Sequence, residues 1–242
     1  MSTIDHVTIR ASDRGASELF YDTVLRVLGI QKRHSGEHYA EWGNFSLARA
    51  TDEKPATRCL HIGFVAPTRE LVDEFWRVGT AAGYRDDGEP GPRPQYSPGY
   101  YGSFLLDPDG NSAEAVVHEV RRPGPVDHLW IRVRDLPASK RFYELVSPQT
   151  GFSLQTETED RGTFAASGGS FSVVPGTPTE HVHMAFEASD NATVEEFHRV
   201  ATEAGYRDNG PPGERLIYHP GYYGAFVLDP DGHNVEVVNH NR

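Results

Sequence analysis

Two histidines and a glutamate recur with the same spacing in the two halves of this chain. In each set, 55 residues separate the two histidines and 53 separate the second histidine from the glutamate. The six residues are His6, His61, Glu114, His128, His183 and Glu236. Two imidazoles and a carboxylate can bind one divalent metal ion, and three protein ligands leave coordination positions open for substrate, dioxygen or water.

A purely structural role is the alternative for these residues. A histidine in a strand is more often satisfied by hydrogen bonds than bound to metal, and a duplication copies a meaningless set as readily as a useful one. Glu114 and Glu236 are harder to explain in this way, because each lies within a predicted strand among Ala and Val residues. A carboxylate there is costly unless it is paired, exposed or bound to metal. Spacing alone leaves both interpretations open.

The repeat extends over nearly the whole chain. Shifted by 122 residues, the stretch GYYGSFLLDPDG at 99–110 falls on GYYGAFVLDPDG at 221–232, and IDHVTIR at 4–10 falls on VDHLWIR at 126–132. Self-similarity of this extent predicts two homologous domains, 1–120 and 124–242. The segment VRRPGPV at 120–126 has two prolines and a glycine and is the predicted linker.

Each half is predicted to contain two units of strand, helix and three strands. In the first half, residues 4–11 alternate as a strand, and a helix capped by Ser12 or Asp13 follows. Short strands cover 31–50, and a second strand and helix follow from Leu60. The closing hairpin comprises 96–106 and 112–118, and its DPDG sequence favours a type I turn. Within each strand, the six candidate ligands fall on the face opposite the apolar residues.

Composition narrows the classes of partner. The chain has 242 residues and a formal net charge of -12, which repels phosphate backbones and anionic lipid. No run of eighteen apolar residues occurs, and the first ten residues show no signal-peptide pattern. The single cysteine, Cys59, fits a reducing compartment. We therefore expect a cytoplasmic protein that acts on a small molecule and binds neither nucleic acid nor membrane.

The DHVTIR strand, the LHIGF strand and the YYGAFVLDPDGHNVE hairpin resemble the vicinal oxygen chelate superfamily, which includes glyoxalase I, bleomycin resistance proteins and extradiol dioxygenases. The resemblance covers both halves. It implies an α+β fold of two tandem glyoxalase-like domains, whose four βαβββ modules form cupped mixed sheets with helices outside. It also places metal ligands at the six positions above. The superfamily contains ligand sets formed within one domain and sets formed across two, so the sequence leaves this choice open.

The sequence differs from the patterns of two members of this superfamily, and the differences affect which reaction is expected. Glyoxalase I typically adds a fourth ligand from the fourth strand, but FSLARA at 45–50 and FSVVPG at 171–176 contain no carboxylate or amide side chain. This favours a three-ligand site. Extradiol dioxygenases add a histidine acid and a tyrosine before the last glutamate. His219 lies near the histidine position, where the first half has Ser97, and Tyr223 is the tyrosine candidate, although Phe226 lies closest to the expected place.

Other residues near the ligands are candidates for the substrate pocket. Arg10 and Arg132 lie four residues beyond the first histidine of each half and can pair with an anionic oxygen, or form an ion pair of purely structural value. Trp130 can face an aromatic substrate or simply pack. His181 stands where the first half has Cys59 and is a third candidate catalytic residue, with His219 and Tyr223.

These features lead to one functional prediction and one alternative. The prediction is a metal-dependent enzyme that binds a small molecule through vicinal oxygens, as an Fe(II) extradiol-type dioxygenase or a related lyase or isomerase. Mn(II), Ni(II) and Zn(II) also suit the ligand types. The alternative is a non-catalytic antibiotic-binding resistance protein. We expect an intramolecular pseudo-dimer, with a homodimer as a further option, and chemistry at the metal site lined by His181 and His219.

Overall fold

The structure is a computed structural model that describes residues 3–120 and 122–242. The chain divides into two compact units. Unit 1 comprises Met1–Val7 and Ile131–Arg242, and unit 2 comprises Thr8–Trp130. The units therefore do not coincide with the two sequence repeats, because the start of the first repeat, up to Val7, belongs to unit 1 and the start of the second repeat, up to Trp130, belongs to unit 2. The predicted linker includes Arg121, which lies outside the described residues.

The first repeat contains two modules in which a strand and a helix precede three strands. The first module consists of β1 (Ile4–Ala11), α1 (Arg14–Val27), β2 (His34–Ser35), β3 (Tyr39–Trp42) and β4 (Phe45–Arg49). The second consists of β5 (His61–Val65), α2 (Arg69–Ala81), β6 (Arg85–Pro92), β7 (Tyr101–Leu106) and β8 (Ser112–Val117).

The second repeat has the same order with one addition, the short helix α4. Its first module consists of β9 (Val126–Val133), α3 (Leu136–Leu145), α4 (Ser147–Thr150), β10 (Ser153–Thr158), β11 (Arg161–Ala166) and β12 (Gly169–Pro175). Its second consists of β13 (His183–Glu187), α5 (Asn191–Glu203), β14 (Arg207–Glu214), β15 (Tyr223–Leu228) and β16 (Asn234–Asn239).

Local sequence explains where most of these elements begin and end. Asp13, rather than Ser12, caps α1, and its carboxylate accepts a hydrogen bond from the backbone N–H of Ala16. Strand β6 was not placed by the sequence, and β7 begins at Tyr101 rather than Tyr96. The reason is that RDDGEPGP has no alternating apolar pattern: it pairs with β7 as an irregular strand with two register shifts.

Each unit contains two groups of paired strands. In unit 2 the orders are β9-β5-β8-β7-β6 and β1-β4-β3-β2, with β1 and β9 contributing only the residues that belong to that unit. In unit 1 they are β14-β15-β16-β13-β1 and β10-β11-β12-β9. Strands β5 and β8 pair in parallel, as do β13 and β16, and in each pair the register brings the histidine of the first strand and the glutamate of the second to the same face.

The repeated DPDG turn is fixed to an apolar core in both units. In unit 2 the buried hydroxyl of Tyr21, on α1, donates a hydrogen bond of 2.9 Å to Asp107 at the start of the turn. In unit 1 the equivalent Tyr143 donates to Asp229 at the same distance. The repeated hairpin is therefore anchored to a helix, which fixes the last strand and the glutamate on it. Among the described residues, no helix is long and apolar enough to cross a membrane.

Candidate metal centres

Two groups of three side chains have the types and separations needed to hold a metal ion. The Glu114 cluster comprises His61, Glu114 and His128, and the Glu236 cluster comprises His6, His183 and Glu236. Within each cluster, one potential ligand atom from each residue lies within 4.8 Å of the other two. All six residues are those singled out by the repeated spacing.

The Glu114 cluster lies in unit 2, where β5 pairs with both β8 and β9. Gly63 on β5 is opposite Glu114 on one side and His128 on the other. Oε2 of Glu114 lies 3.0 Å from Nε2 of His61 and 3.2 Å from Nε2 of His128. A Cβ atom at Gly63 would collide with the His128 ring, so the glycine provides the space in which that ring lies.

The Glu236 cluster lies in unit 1, where β13 lies between β16 and β1. Oε2 of Glu236 lies 3.1 Å from Nε2 of His183 and 3.7 Å from Nε2 of His6, and the two Nε2 atoms are 3.0 Å apart. Both glutamates are 1% exposed.

The structure therefore combines candidate ligands from different repeats. His6, from the first repeat, meets His183 and Glu236 of the second. Conversely, His128 meets His61 and Glu114 of the first repeat. Because β1 and β9 contribute their opening residues to the units that hold the other repeat's ligands, each cluster is complete within one compact unit.

The repeated GYYG stretch supports the glutamates directly. The hydroxyl of Tyr222 donates a hydrogen bond of 2.7 Å to Oε1 of Glu236, and that of Tyr100 donates one of 2.8 Å to Oε1 of Glu114. The following glycines leave room for the carboxylates: a Cβ atom at Gly224 would lie 2.6 Å from Oε1 of Glu236, and one at Gly102 would collide with Glu114. One glutamate oxygen is thus held by tyrosine while the other faces the histidines.

An aspartate fixes one histidine of each cluster. Oδ1 of Asp5 lies 2.7 Å from Nδ1 of His6, and Oδ1 of Asp127 lies 2.9 Å from Nδ1 of His128. Such a contact holds the proton on Nδ1 and leaves Nε2 directed at the cluster, which is the usual arrangement around a metal-bound imidazole. In the described residues, the ring nitrogens nearest the glutamates are thus the ones available for a metal.

The Glu114 cluster pairs ionised carboxylates with a protonated imidazole. Burial alone would raise the pKa of Glu114, but hydrogen bonds with His128 and His61 outweigh it and lower that pKa to about 2. Burial alone would lower the pKa of His128, but hydrogen bonds with Asp127 and Glu114 outweigh it and raise that pKa to about 10. Without a metal ion, a protonated imidazole supplies the positive charge that the carboxylates require.

The two aspartates and the two tyrosines have the protonation states that these hydrogen bonds require. Burial opposes ionisation of Asp5 and Asp127, yet their hydrogen bonds with histidines hold the pKa of each carboxyl well below its usual range. Burial, and then the nearby glutamate charge, raises the pKa of Tyr100 and Tyr222 far above the usual value. The tyrosines are therefore permanent donors and the aspartates permanent acceptors.

The three candidate catalytic residues differ in how they lie relative to the Glu236 cluster. Tyr223 does not reach the Glu236 cluster, because its hydroxyl donates to Glu195 on α5 at 3.0 Å; its neighbour Tyr222 makes the contact to Glu236 instead. His219 lies beside Tyr222, with ring centroids 5.4 Å apart. His181 is exposed, adopts a left-handed φ of 56° and belongs to neither cluster.

The candidate pocket residues differ in their contacts. Trp130 lies in unit 2, where its ring contacts His61 at 6.4 Å and Tyr96 at 5.6 Å between centroids, so it is next to the Glu114 cluster. Arg10 and Arg132 belong to neither cluster, and their backbone N–H groups donate to the hydroxyls of Thr57 and Thr179. Their pocket role stays a prediction.

Sequence reasoning missed the residues that touch the ligands. A signal for them was available: an aspartate precedes the first histidine of each half, and the first tyrosine of each GYYG stretch lies 14 residues before the glutamate. His118 and His240, four residues after the glutamates, come directly after the last strand of each repeat. They hydrogen bond to Asp127 and Asp5, at 2.9 and 2.6 Å.

Comparison with known proteins is consistent with this architecture. The family model of the Glyoxalase/Bleomycin resistance protein/Dioxygenase superfamily matches residues 3–115 and 126–237. Glyoxalase I from Zea mays superimposes with a TM-score of 0.70 at 18% identity, covering 99% of this chain and 93% of that chain. A candidate dioxygenase from Bacillus subtilis superimposes with a TM-score of 0.66 at 13% identity, covering 99% and 86%.

At these identities the solved structures establish the fold alone. They confirm the predicted α+β class of two tandem glyoxalase-like domains with four βαβββ modules. No curated protein matches the sequence.

Proposed function

The chain belongs to the Glyoxalase/Bleomycin resistance protein/Dioxygenase superfamily, and we propose that it is a metal-dependent enzyme that acts on a small molecule with two neighbouring oxygen atoms. The observation that carries this proposal is the pair of clusters, each of two histidines and one buried glutamate and each supported by an aspartate and a tyrosine. Such support is typical of residues that bind metal.

The donor set fits a divalent ion. His6, His183 and Glu236 would hold it in unit 1, and His61, Glu114 and His128 in unit 2. When bound, a divalent ion would supply Lewis acidity toward substrate oxygens, or in the case of Fe(II) a place for dioxygen. Two imidazoles and one carboxylate with open positions favour Fe(II), which leads to the finer proposal of an extradiol-type dioxygenase or a related lyase or isomerase.

The protein's own groups would position the ligands and control protons. Tyr222 and Tyr100 keep one oxygen of each glutamate occupied, so that a single oxygen is presented to the ion. Asp5 and Asp127 keep the Nδ1 protons of His6 and His128 in place. His219 lies near Tyr222 at the Glu236 cluster, and an imidazole is the side chain that most often transfers protons in catalysis, which favours that cluster for chemistry that moves a proton.

Metal content and dioxygen uptake test this proposal. Protein purified without chelator or affinity-tag nickel should contain a divalent ion by elemental analysis. The double variant His61→Ala/His183→Ala should lose it, whereas His38→Ala, at an exposed histidine outside both clusters, should keep it. Unchanged metal content in the double variant would contradict metal binding by these clusters.

The reaction class has its own test. The ferrous protein should consume dioxygen in the presence of a catechol-like compound, and the Glu236→Gln variant should not. Tight binding of such compounds or of an antibiotic, with no turnover in any reconstituting metal, would instead support the non-catalytic alternative.

A further inference from the structure

Two loops of the same length lie beside the two clusters. In unit 1 the loop from Arg215 to Tyr222 joins β14 to β15, and in unit 2 the loop from Arg93 to Tyr100 joins β6 to β7. Each loop ends at the tyrosine that donates a hydrogen bond to the glutamate of its cluster. The loops are therefore part of the surroundings of the clusters, at equivalent places in the two repeats.

The backbones of the two loops make the same hydrogen bonds. In unit 1 the N–H of Arg215 donates to the carbonyl oxygen of Tyr222 at 2.8 Å, and the N–H of Tyr218 donates to that of Arg215 at 3.0 Å. The loop of unit 2 makes both contacts at the same distances, at the positions 122 residues earlier. The second contact closes a four-residue turn, RLIY in unit 1 and RPQY in unit 2. The two turns thus differ only in their two central residues.

Both ends of the turn in unit 1 pack against side chains that contact the cluster of that unit. The ring of Tyr218 lies 4.7 Å from that of Tyr222, whose hydroxyl bonds to the glutamate. The guanidinium of Arg215 lies 5.5 Å from the centroid of the Phe226 ring, and that ring is 6.2 Å from the ring of His183. Because neighbouring Cα atoms are only about 3.8 Å apart, the central residues of the turn lie close to the side chains that surround the cluster.

The two central residues of this turn are apolar and exposed. Leu216 is 66% exposed and Ile217 is 86% exposed, and the adjacent Tyr218 is 60% exposed. The corresponding central residues in unit 2 are Pro94 and Gln95. Single exposed apolar residues are common on proteins, but three in succession beside a candidate site are typical of a surface that binds a ligand. Of the two turns, only that of unit 1 has a pair of large aliphatic side chains.

We propose that Leu216 and Ile217 determine specificity at the Glu236 cluster by binding an apolar substituent of the substrate. This proposal rests on the proposed function, because it concerns the substrate whose two neighbouring oxygen atoms would bind the ion. Contact between the substituent and the two side chains removes apolar surface from water on both partners, which favours the substituted compound over the unsubstituted one. The turn of unit 2 offers no aliphatic pair for this contact.

A second copy of this chain is the other occupant that would suit an exposed aliphatic pair. The contacts of the turn favour the substrate, because Arg215 and Tyr218, on either side of the pair, both pack against residues that touch the cluster. A surface for another copy has no need of that position. The experiment below separates the two occupants.

Ligand binding is measured in Glu114→Gln protein, which retains the Glu236 cluster. The protein is loaded with Zn²⁺, which has no redox chemistry, and titrated calorimetrically without dioxygen. The probes are catechol and catechols with a butyl group at carbon 3 or carbon 4. At least one butylcatechol should bind roughly tenfold more tightly than catechol, the ratio expected when between one and two methylene groups become buried.

Exchange of the turn should remove this preference. Leu216→Pro/Ile217→Gln gives the turn the sequence found in unit 2, and proline is favoured at the second position of such a turn, so the fold should be kept. The affinity ratio should fall to within about threefold of one, mainly through weaker binding of the butylcatechol. Ile217→Gln alone changes one exposed side chain, which seldom affects folding, and should lower the ratio by about threefold.

The matched control places the aliphatic pair in the other turn. In Glu236→Gln protein, which retains the Glu114 cluster, Trp130 already lies beside the cluster, so the comparison is with that parent. Adding Pro94→Leu/Gln95→Ile should raise the ratio of butylcatechol to catechol affinity by roughly threefold or more.

Three results would count against the proposal. An affinity ratio that stays the same after Leu216→Pro/Ile217→Gln would overturn it. So would a dimer in sedimentation that this exchange dissociates while the ratio is unchanged, because the aliphatic pair would then contact a second copy of the chain. Absence of catechol binding in both Zn²⁺-loaded parent proteins would contradict the proposed function, and this proposal with it.

Discussion

The Glu236 cluster and the Glu114 cluster have the same three ligand types, and the residues in direct contact with those ligands are also the same. Each glutamate has a tyrosine and a glycine beside it, and each cluster has one histidine held by an aspartate. The two clusters differ in the residues that surround these direct contacts. The Glu236 cluster has His219 near it, whereas the Glu114 cluster has Trp130.

This comparison separates two kinds of constraint. Residues that fix the position and charge of a ligand cannot change without loss of the site, since each fills a specific hydrogen bond or space. Residues that face a substrate or exchange protons can differ between two copies of the same site. We therefore expect both clusters to hold metal and only the Glu236 cluster to have the proton-exchanging groups for substrate chemistry.

The largest effect should come from variants that distinguish ligand sets within repeats from sets across them. His6→Ala/Glu236→Gln damages one cluster and should reduce metal content from two ions per chain to one. His6→Ala/Glu114→Gln damages both and should abolish binding. Elemental analysis of the two proteins decides the matter, because ligand sets formed within each repeat would give the opposite ranking.

The second-largest effect should be a difference between the two clusters in their contribution to turnover. Once a substrate is found, Glu236→Gln should lower kcat by at least about 100-fold, because it removes a ligand from the cluster near His219. Glu114→Gln should change kcat by less than about threefold. Equal losses in the two variants would show that the difference in surroundings does not determine activity.

The glycines that make room for the carboxylates should affect one cluster each. Gly224→Ala places a methyl group against Glu236 and should weaken metal binding at that cluster by roughly 10- to 100-fold, with the other ion retained. Gly102→Ala should do the same to the Glu114 cluster. Titration of each variant with a divalent ion measures both affinities, and two unaffected ions would contradict the steric role.

The stability of the metal-free protein should depend on pH through His128. Its folded-state pKa of about 10 lies above the ordinary value of 6.5, so the stabilisation is fully present below pH 6.5 and is lost as pH rises toward 10. We expect roughly 3.5 kcal/mol less stability at pH 9.5 than at pH 6.5 in denaturant unfolding of chelator-treated protein. His128→Gln should remove this dependence; the same fall in that variant would assign it to other groups.

The smallest expected difference concerns the hairpin turns. His233 is fully buried, and neither ring nitrogen has a hydrogen-bond partner among the described residues. Its equivalent Asn111 bonds through its side chain to Thr57, Leu60 and Asp107. His233→Asn should therefore stabilise the protein by about 1 kcal/mol, and Asn111→His should destabilise it. A destabilised His233→Asn protein would mean that ring packing outweighs the missing hydrogen bonds.

Local sequence was sufficient for most secondary structure. The alternation at 4–11 and the helical spacing after Thr68 predicted β1 and α2 because apolar side chains there follow the period of the element. Strand β6 could not be found in this way, since RDDGEPGP exposes most of its residues and is held by pairing to β7. Likewise, alternation alone did not show that Tyr222, and not Tyr223, turns its hydroxyl toward Glu236.

The sequence by itself determined that the chain is duplicated, that each copy carries two histidines and a glutamate, and that these side chains share the non-apolar faces of their strands. These are properties of residue type and of a two-residue period, which any local stretch reveals. Only the tertiary structure decided which residues meet. His6 joins His183 and Glu236 because β1 lies beside β13, and His128 joins His61 and Glu114 because β9 lies beside β5. Strand pairing over such separations depends on how whole elements pack, and no local period encodes it.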